Sequence, residues 1–267
     1  MQLITPLIPD PRAPLARANP VAKLGAALVL LIALFASLDG VTAIIVLAGL
    51  AALLPLSGLS AVALLSRAWL IGLAAISIGV VNVLFAADQS GSILLEIGPV
   101  RIGARTLLEG LGLAARLVAI ALAGVLATAT SQPTDLADAL VQQLRVSPRF
   151  AVGALAAMRL IPLMAAEWHT IAMARRARGV DAGRSPLAAV RLFAGRLLAL
   201  LVGAVRRGSR MALAMEARGF GAMPCRTAAR VQRMNPADWG WIAGAALLAS
   251  VAIGVSLVLG TWRPLFG

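Results

Sequence analysis

Tyrosine is absent from this chain, and cysteine, histidine and lysine occur once each, as Cys225, His169 and Lys23. One cysteine can form neither an intrachain disulfide nor a cysteine zinc cluster. One histidine leaves too few donors for a transition-metal site and a poor basis for a histidine-dependent triad, so Cys225 and His169 read as packed or surface side chains. The single lysine stands in no Gly-x-x-x-x-Gly-Lys-Ser/Thr sequence, which excludes a P-loop ATPase. Charge is scarce as well: 13% of the 267 residues are Asp, Glu, Lys or Arg, against 60% hydrophobic. With a mean hydropathy of +0.91, the chain lies outside the range of soluble globular domains and reads as an integral membrane protein. Abundant Ala, Leu, Val and Gly, without the aromatic girdles and short alternating strands of a barrel, point to lipid-embedded helices.

The charge that is present is unevenly placed. Of the 24 Lys and Arg residues, 16 lie between Thr130 and Asp238, with six acidic residues, so this region supplies +10 of the formal +13. A single basic segment between spans marks the cytoplasmic side. Without an aromatic-interleaved basic motif it does not read as a nucleic-acid site.

Taken in order, residues 1–20 form a cytoplasmic tail, irregular and basic, with prolines at 6, 9, 11, 14 and 20. Residues 21–130 carry four transmembrane helices. Val21–Leu56 is too long for one span, and Asp39-Gly40 marks a turn, giving two short or tilted helices in a hairpin. A third span covers 68–87 after a return marked by Arg67, with Asn82 read as a helix-to-helix hydrogen bonder. Residues 88–106 read as an external loop, and Leu107–Thr130 as the fourth span. In that span Glu109 and Arg116 share a face near the outer end, where an arginine can snorkel. Residues 131–238 then form a cytoplasmic region of three amphipathic helices, 134–145, Pro148 to Arg178 with a bend at Pro162, and 187–218. Residues 239–267 hold the last span, flanked by Trp239, Trp241 and Trp262. The fold class is therefore an all-α integral membrane protein, with about five transmembrane helices and a cytoplasmic platform between spans four and five.

Two matched sequences close the long platform helices: Ala174-Arg175-Arg176-Ala177-Arg178-Gly179 and Ala214-Met215-Glu216-Ala217-Arg218-Gly219. Glycine past the last turn satisfies the final carbonyls, and a cation there meets the negative end of the helix dipole. Capping demands only the glycine, so two copies of Ala-x-x-Ala-Arg-Gly exceed what capping requires. Arginine stays charged and grips a carboxylate through two parallel bonds. Two equivalent tips on a chain whose spans are chemically bland suggest an adaptor with two equivalent partners. A stand-alone carrier or scaffold is the alternative. A membrane-embedded transferase is a weaker one, because Asp135-x-x-Asp138 is the only acidic pair in reach.

The chain resembles the transmembrane T component of energy-coupling factor (ECF) importers, a subclass of ABC transporters. The resemblance rests on Ala177-Arg178-Gly179, on Ala217-Arg218-Gly219 and on Asn19-Pro20-Val21-Ala22-Lys23-Leu24, which is similar to a Pro-x-x-Lys-Leu start of the first helix. It extends over nearly the whole chain. It implies that Arg178 and Arg218 each dock into one of two cytoplasmic ATPase subunits, with Arg175, Arg176 and Glu216 beside them. It also implies that the apolar faces of the platform helices hold one small membrane-embedded S component, which binds a vitamin or metal ion. On this resemblance the chain is non-catalytic, carries no cofactor of its own, leaves ATP and magnesium to its partners, and lies in a prokaryotic plasma membrane with its N-terminus and coupling helices cytoplasmic.

Overall fold

A computed structural model describes residues 10, 12–85, 93–97, 100–180, 183, 185–221, 228 and 230–262. Prolines 6, 9 and 11, the loop residues Asp88, Gly91, Gly98 and Pro99, most of the 181–184 turn, Cys225, Arg226 and Arg263 lie outside them. Among the described residues the elements are α1 (Pro14–Arg17), α2 (Pro20–Ala36), α3 (Gly40–Ser57), α4 (Ala61–Phe85), β1 (Ile93–Ile97), β2 (Val100–Gly103), α5 (Ala104–Ala129), α6 (Pro133–Gln143), α7 (Pro148–Ala177), α8 (Pro186–Ala217) and α9 (Pro236–Val258). The chain divides into two units, residues 1–139 with 232–267, and residues 140–231.

In the first unit, α2 and α3 are the two helices expected on either side of the Asp39-Gly40 turn, but they pack chiefly on α5 and α9 and meet each other little, so they do not form a packed hairpin. Asn19 and Asp39 cap the two helices by accepting from Val21 N and Thr42 N. Helix α5 packs against α2, α3 and α4, while α9 packs against α2 and α3. The core between them is Leu30, Leu34, Val46, Leu50, Leu126 and a set of buried alanines. Small residues allow the helix backbones to meet, as membrane bundles require in the absence of a hydrophobic driving force between helices. A Cβ on Gly112 of α5 would stand 2.5 Å from Gly40 Cα in α3, and one on Gly110 would stand 2.8 Å from Gly79 O in α4.

The polar groups of this unit gather at two levels. At one, Ser37, Asp39, Thr42, Arg116 and Ser256 meet; at the other, Asn19, Lys23, Thr130 and Asp238 do. From Lys23 to Ser37 α2 rises about 21 Å, and from Asp238 to Ser256 α9 rises about 27 Å. The apolar slab between the levels is thus somewhat thinner than a hydrocarbon core of about 30 Å.

Several expectations are corrected. The tail is not irregular throughout: α1 forms, and Ala13, Leu15 and Ala18 are buried. The third span is longer than 68–87 at its start, because α4 begins at Ala61 and takes in Arg67. The 88–106 segment contains an antiparallel hairpin, β1 with β2, pairing Glu96 with Arg101. Arg116 does not snorkel. Its guanidinium donates to the carbonyls of Ser37 and Asp39, while Glu109 pairs with Arg105 one turn away at 3.4 Å.

Five helices among the described residues are long and apolar enough to cross a membrane: α3, α5, α7, α8 and α9; α2 and residues 69–85 of α4 are shorter apolar helices. The number agrees with the expectation, but α7 and α8 enter by length and composition alone, since each has an apolar run between its arginines. Helix α8 collects Arg206, Arg207 and Arg210 after its apolar run. The protein is a multi-pass, predominantly helical membrane protein.

Candidate functional site

The second unit is built on α7 and α8. Ser147-Pro148 and Ser185-Pro186 open them, with proline in the first turn where its missing N–H is harmless. Both helices run within one residue of their expected ends without interruption, α7 continuing through Pro162. They run antiparallel. Glu167 of α7 pairs with Arg207 of α8 at 2.7 Å, Trp168 meets Phe193 edge-on at 5.3 Å with Arg196 over its ring, and Arg175 Nη1 donates to Leu192 O at 3.1 Å. As α7 advances, its partners on α8 step backward.

The two Ala-Arg-Gly sequences end these helices in the same way. Ala177 is the last residue of α7 and Arg178 its C-cap; Ala217 and Arg218 hold the same places on α8. Gly179 has φ +75° and Gly219 φ +76°, the left-handed region that glycine enters without a Cβ penalty. Gly179 N donates to Arg176 O at 2.9 Å and Val180 N to Arg175 O at 3.0 Å. In the second copy, Gly219 N donates to Glu216 O at 2.9 Å and Phe220 N to Met215 O at 3.0 Å. These paired bonds are a Schellman motif, which satisfies the last carbonyls with backbone alone.

The arginines are consequently free of the capping role. All six motif residues are exposed, and neither Arg178 nor Arg218 has a side-chain partner among the described residues. Open space surrounds both glycines. Antiparallel packing sends the tips to opposite ends of the helix pair. Arg175, three residues before the first tip, touches Leu192; from Leu192 to Arg218 α8 runs about 39 Å. The arrangement offers two identical cationic knobs at a fixed separation, each suited to bidentate binding of a carboxylate.

Of the neighbours, Arg176 and Glu216 are exposed with the tips. Arg175 is instead half-buried and reaches across to α8, where a Cβ on Gly195 would press on its guanidinium. It is a packing residue of the helix pair. Among the described residues no second acidic pair joins Asp135 and Asp138 to make a diphosphate site. Asp135 lies in the first turn of α6, and its charge acts on the Lys23 ammonium.

Sequence reasoning passed over one cluster. Lys23 Nζ donates to Thr130 O at 2.8 Å and to Ala16 O at 3.3 Å, and the side chain is 3% exposed. Beside it, Asn19 N donates to Asp238 Oδ1 at 2.7 Å and Asn19 Nδ2 to Arg233 O at 3.3 Å. Asp238 closes a capping box with Asn235 at the start of α9. A lone lysine one turn into an apolar helix was the available signal, and Asn235-Pro-x-Asp238 was a second.

The family model described as CbiQ, cobalt transport protein, matches residues 11–229. The energy-coupling factor transporter transmembrane protein EcfT of Limosilactobacillus fermentum is 34% identical over 160 residues, 57% of this chain and 58% of that protein. EcfT of Thermosediminibacter oceani is 31% identical, over 60% of this chain and 63% of that protein. EcfT 1 of Listeria monocytogenes is 32% identical, over 60% and 62%. The chain thus spans about three fifths of the length of these curated relatives. With a family match from the short first helix to the end of the second unit, the chain belongs to the CbiQ cobalt transport protein family.

Proposed function

We propose that this protein is the T component of an ECF-type importer, a non-catalytic subunit that couples ATP hydrolysis in two cytoplasmic ATPase subunits to movement of a membrane-embedded S component. The observation that carries this reading is the pair of geometrically equivalent, exposed arginine tips, without side-chain partners among the described residues, at opposite ends of one antiparallel helix pair. A folding role alone needs neither arginine, because the glycines and backbone complete both helix ends. Two ATPase copies related by a two-fold axis present the same groove twice, and two matched knobs fit that symmetry.

Helices α7 and α8, with α6, form the cytoplasmic platform, residues 131–238, and α2, α3, α4, α5 and α9 cross the membrane. The N-terminus is cytoplasmic on this reading. The clustered arginines support it through the bias of basic residues toward the cytoplasm. The apolar stretch of α8, including the exposed Leu197, Leu198, Leu201 and Val202, supplies a surface for a hydrophobic partner. The imported vitamin or metal ion is read by the S component, and ATP with magnesium by the ATPases.

The test is copurification. Arg178→Glu and Arg218→Glu each replace a gripping cation with a repelling anion, which costs about 2–5 kcal/mol at a desolvated charge pair. Each variant should insert in the membrane normally and recover less ATPase, and the double variant should recover almost none. Full ATPase recovery with the double variant refutes the docking role.

A further inference from the structure

Every path from the first unit to the second leaves or returns beside the first turn of α2. The outgoing path runs from the C-terminus of α5 through Thr130 into α6 and crosses into the second unit after Ala139. The return path crosses after Val231 and reaches α9 through Arg233 and Asn235. Lys23 holds the outgoing path by donating to Thr130 O, the C-cap carbonyl of α5. Asn19 holds the return path twice, through its side-chain amide to Arg233 O and through its backbone N–H to Asp238 Oδ1.

The chemistry suits an anchor. A cation at the C-terminus of α5 and a carboxylate in the first turn of α9 each meet the favourable end of a helix dipole. Asn19, Lys23, Thr130 and Asp238 are between 3% and 6% exposed, and the ammonium faces the charges of Asp135 and Asp238. Buried bonds to charged groups of this kind resist extension far better than solvated ones. Within the second unit the same two strands of chain are joined again, by Gln142 Nε2 donating to Arg230 O at 2.7 Å.

We propose that Asn19 and Lys23 are positioning residues for energy coupling: they fasten both connections of the coupling unit to α2, so that a displacement of α7 and α8 is passed to the membrane helices instead of being absorbed at slack joints. This inference rests on the T-component reading. A cluster serving only to hold the fold would affect stability and assembly together, whereas an anchor determines the work obtained per ATP.

The test uses the full complex, reconstituted in lipid vesicles with its ATPase pair and S component, and measures three quantities: ATPase copurification, ATP hydrolysis, and substrate uptake per ATP hydrolysed. Lys23→Met should leave copurification and hydrolysis near wild type and lower uptake per ATP roughly ten-fold, the scale of a lost coupling energy. Lys23→Arg, which can still donate to Thr130 O, should recover most of it. Asn19→Ser keeps the helix cap and the bond to Asp238 but removes the donor to Arg233 O, and should uncouple more mildly. Unchanged uptake per ATP in both Lys23→Met and Asn19→Ser overturns the anchor while leaving the T-component reading intact. Loss of assembly in both variants also overturns it, reducing the cluster to a folding element. Failure of the wild-type chain to recover any ATPase removes the T-component reading, and the anchor with it.

Discussion

Replacing Gly112 with alanine puts a methyl group 2.5 Å from Gly40 Cα and 3.2 Å from Gly40 N. Carbon atoms at rest sit about 3.5–4.0 Å apart, so the backbones of α3 and α5 must separate by about 1 Å. The obstructing atoms are backbone, and no side-chain rotation relieves them. Overpacking of this kind costs about 1–3 kcal/mol, with a backbone contact at the upper end. Alanine returns about 1 kcal/mol through helix propensity, for a net loss near 2 kcal/mol. Gly124 is the control within the same helix: a Cβ there meets nothing within 4 Å. Gly124→Ala should therefore keep the propensity gain and be neutral or stabilising by up to about 1 kcal/mol. The two variants differ by about 3 kcal/mol, which at about 2–4 °C per kcal/mol separates their melting temperatures by about 6–12 °C. Thermal unfolding of the purified protein in one detergent measures the gap. Gly40→Ala, with its nearest obstruction at 3.0 Å, should fall between them. Equal melting temperatures for Gly112→Ala and Gly124→Ala would refute the backbone contact between α3 and α5.

Two other substitutions bear on the tips and the polar turn. Gly219→Ala places a Cβ at φ +76°, costing about 1–2 kcal/mol at the end of α8, and should weaken ATPase recovery in parallel with Arg218→Glu though less severely; full recovery refutes the need for that backbone geometry. Burial pushes the Asp39 carboxyl up, but hydrogen bonds from Ser37, Ser256 and Thr42 more than reverse this and hold it below its ordinary value of 3.8. A depressed carboxylate contributes stability above the unfolded pKa and loses it as pH falls through the folded one. The melting-temperature advantage of wild type over Asp39→Asn should thus be full at neutral pH and shrink below pH 3.8; a constant difference across that range contradicts it.

The legible parts of the fold were those with signals next to one another in the chain. Proline after serine announced the starts of α7 and α8, glycine after arginine announced their ends, and Asp39-Gly40 announced the turn between α2 and α3. Arg116 was misread because an arginine in an apolar helix looks the same whether it reaches for an interface or for a carbonyl. Its acceptors, Ser37 O and Asp39 O, belong to a backbone more than seventy residues away and have no side-chain signature. Lys23 was noticed only as a lone lysine and as part of a resemblance; its acceptor is again a carbonyl, exposed by the end of a distant helix. The tips themselves were legible in sequence, but their opposite placement was not, since it follows from the antiparallel contacts of Glu167, Trp168 and Arg175 across α8.

The Schellman ends of α7 and α8 have an implication for how this protein can change over time. Because each glycine fixes the tip rigidly to its helix, the direction of the arginine is set by the number of residues before it. Inserting a single residue between the α7 contacts and Arg218 advances the tip about 1.5 Å and rotates it about 100° around the axis of α8. Every local feature of the tip survives such a change, yet the arginine faces elsewhere. On the docking reading, residues on the exposed face of α8 are free to drift, while its length must stay in phase to a single residue.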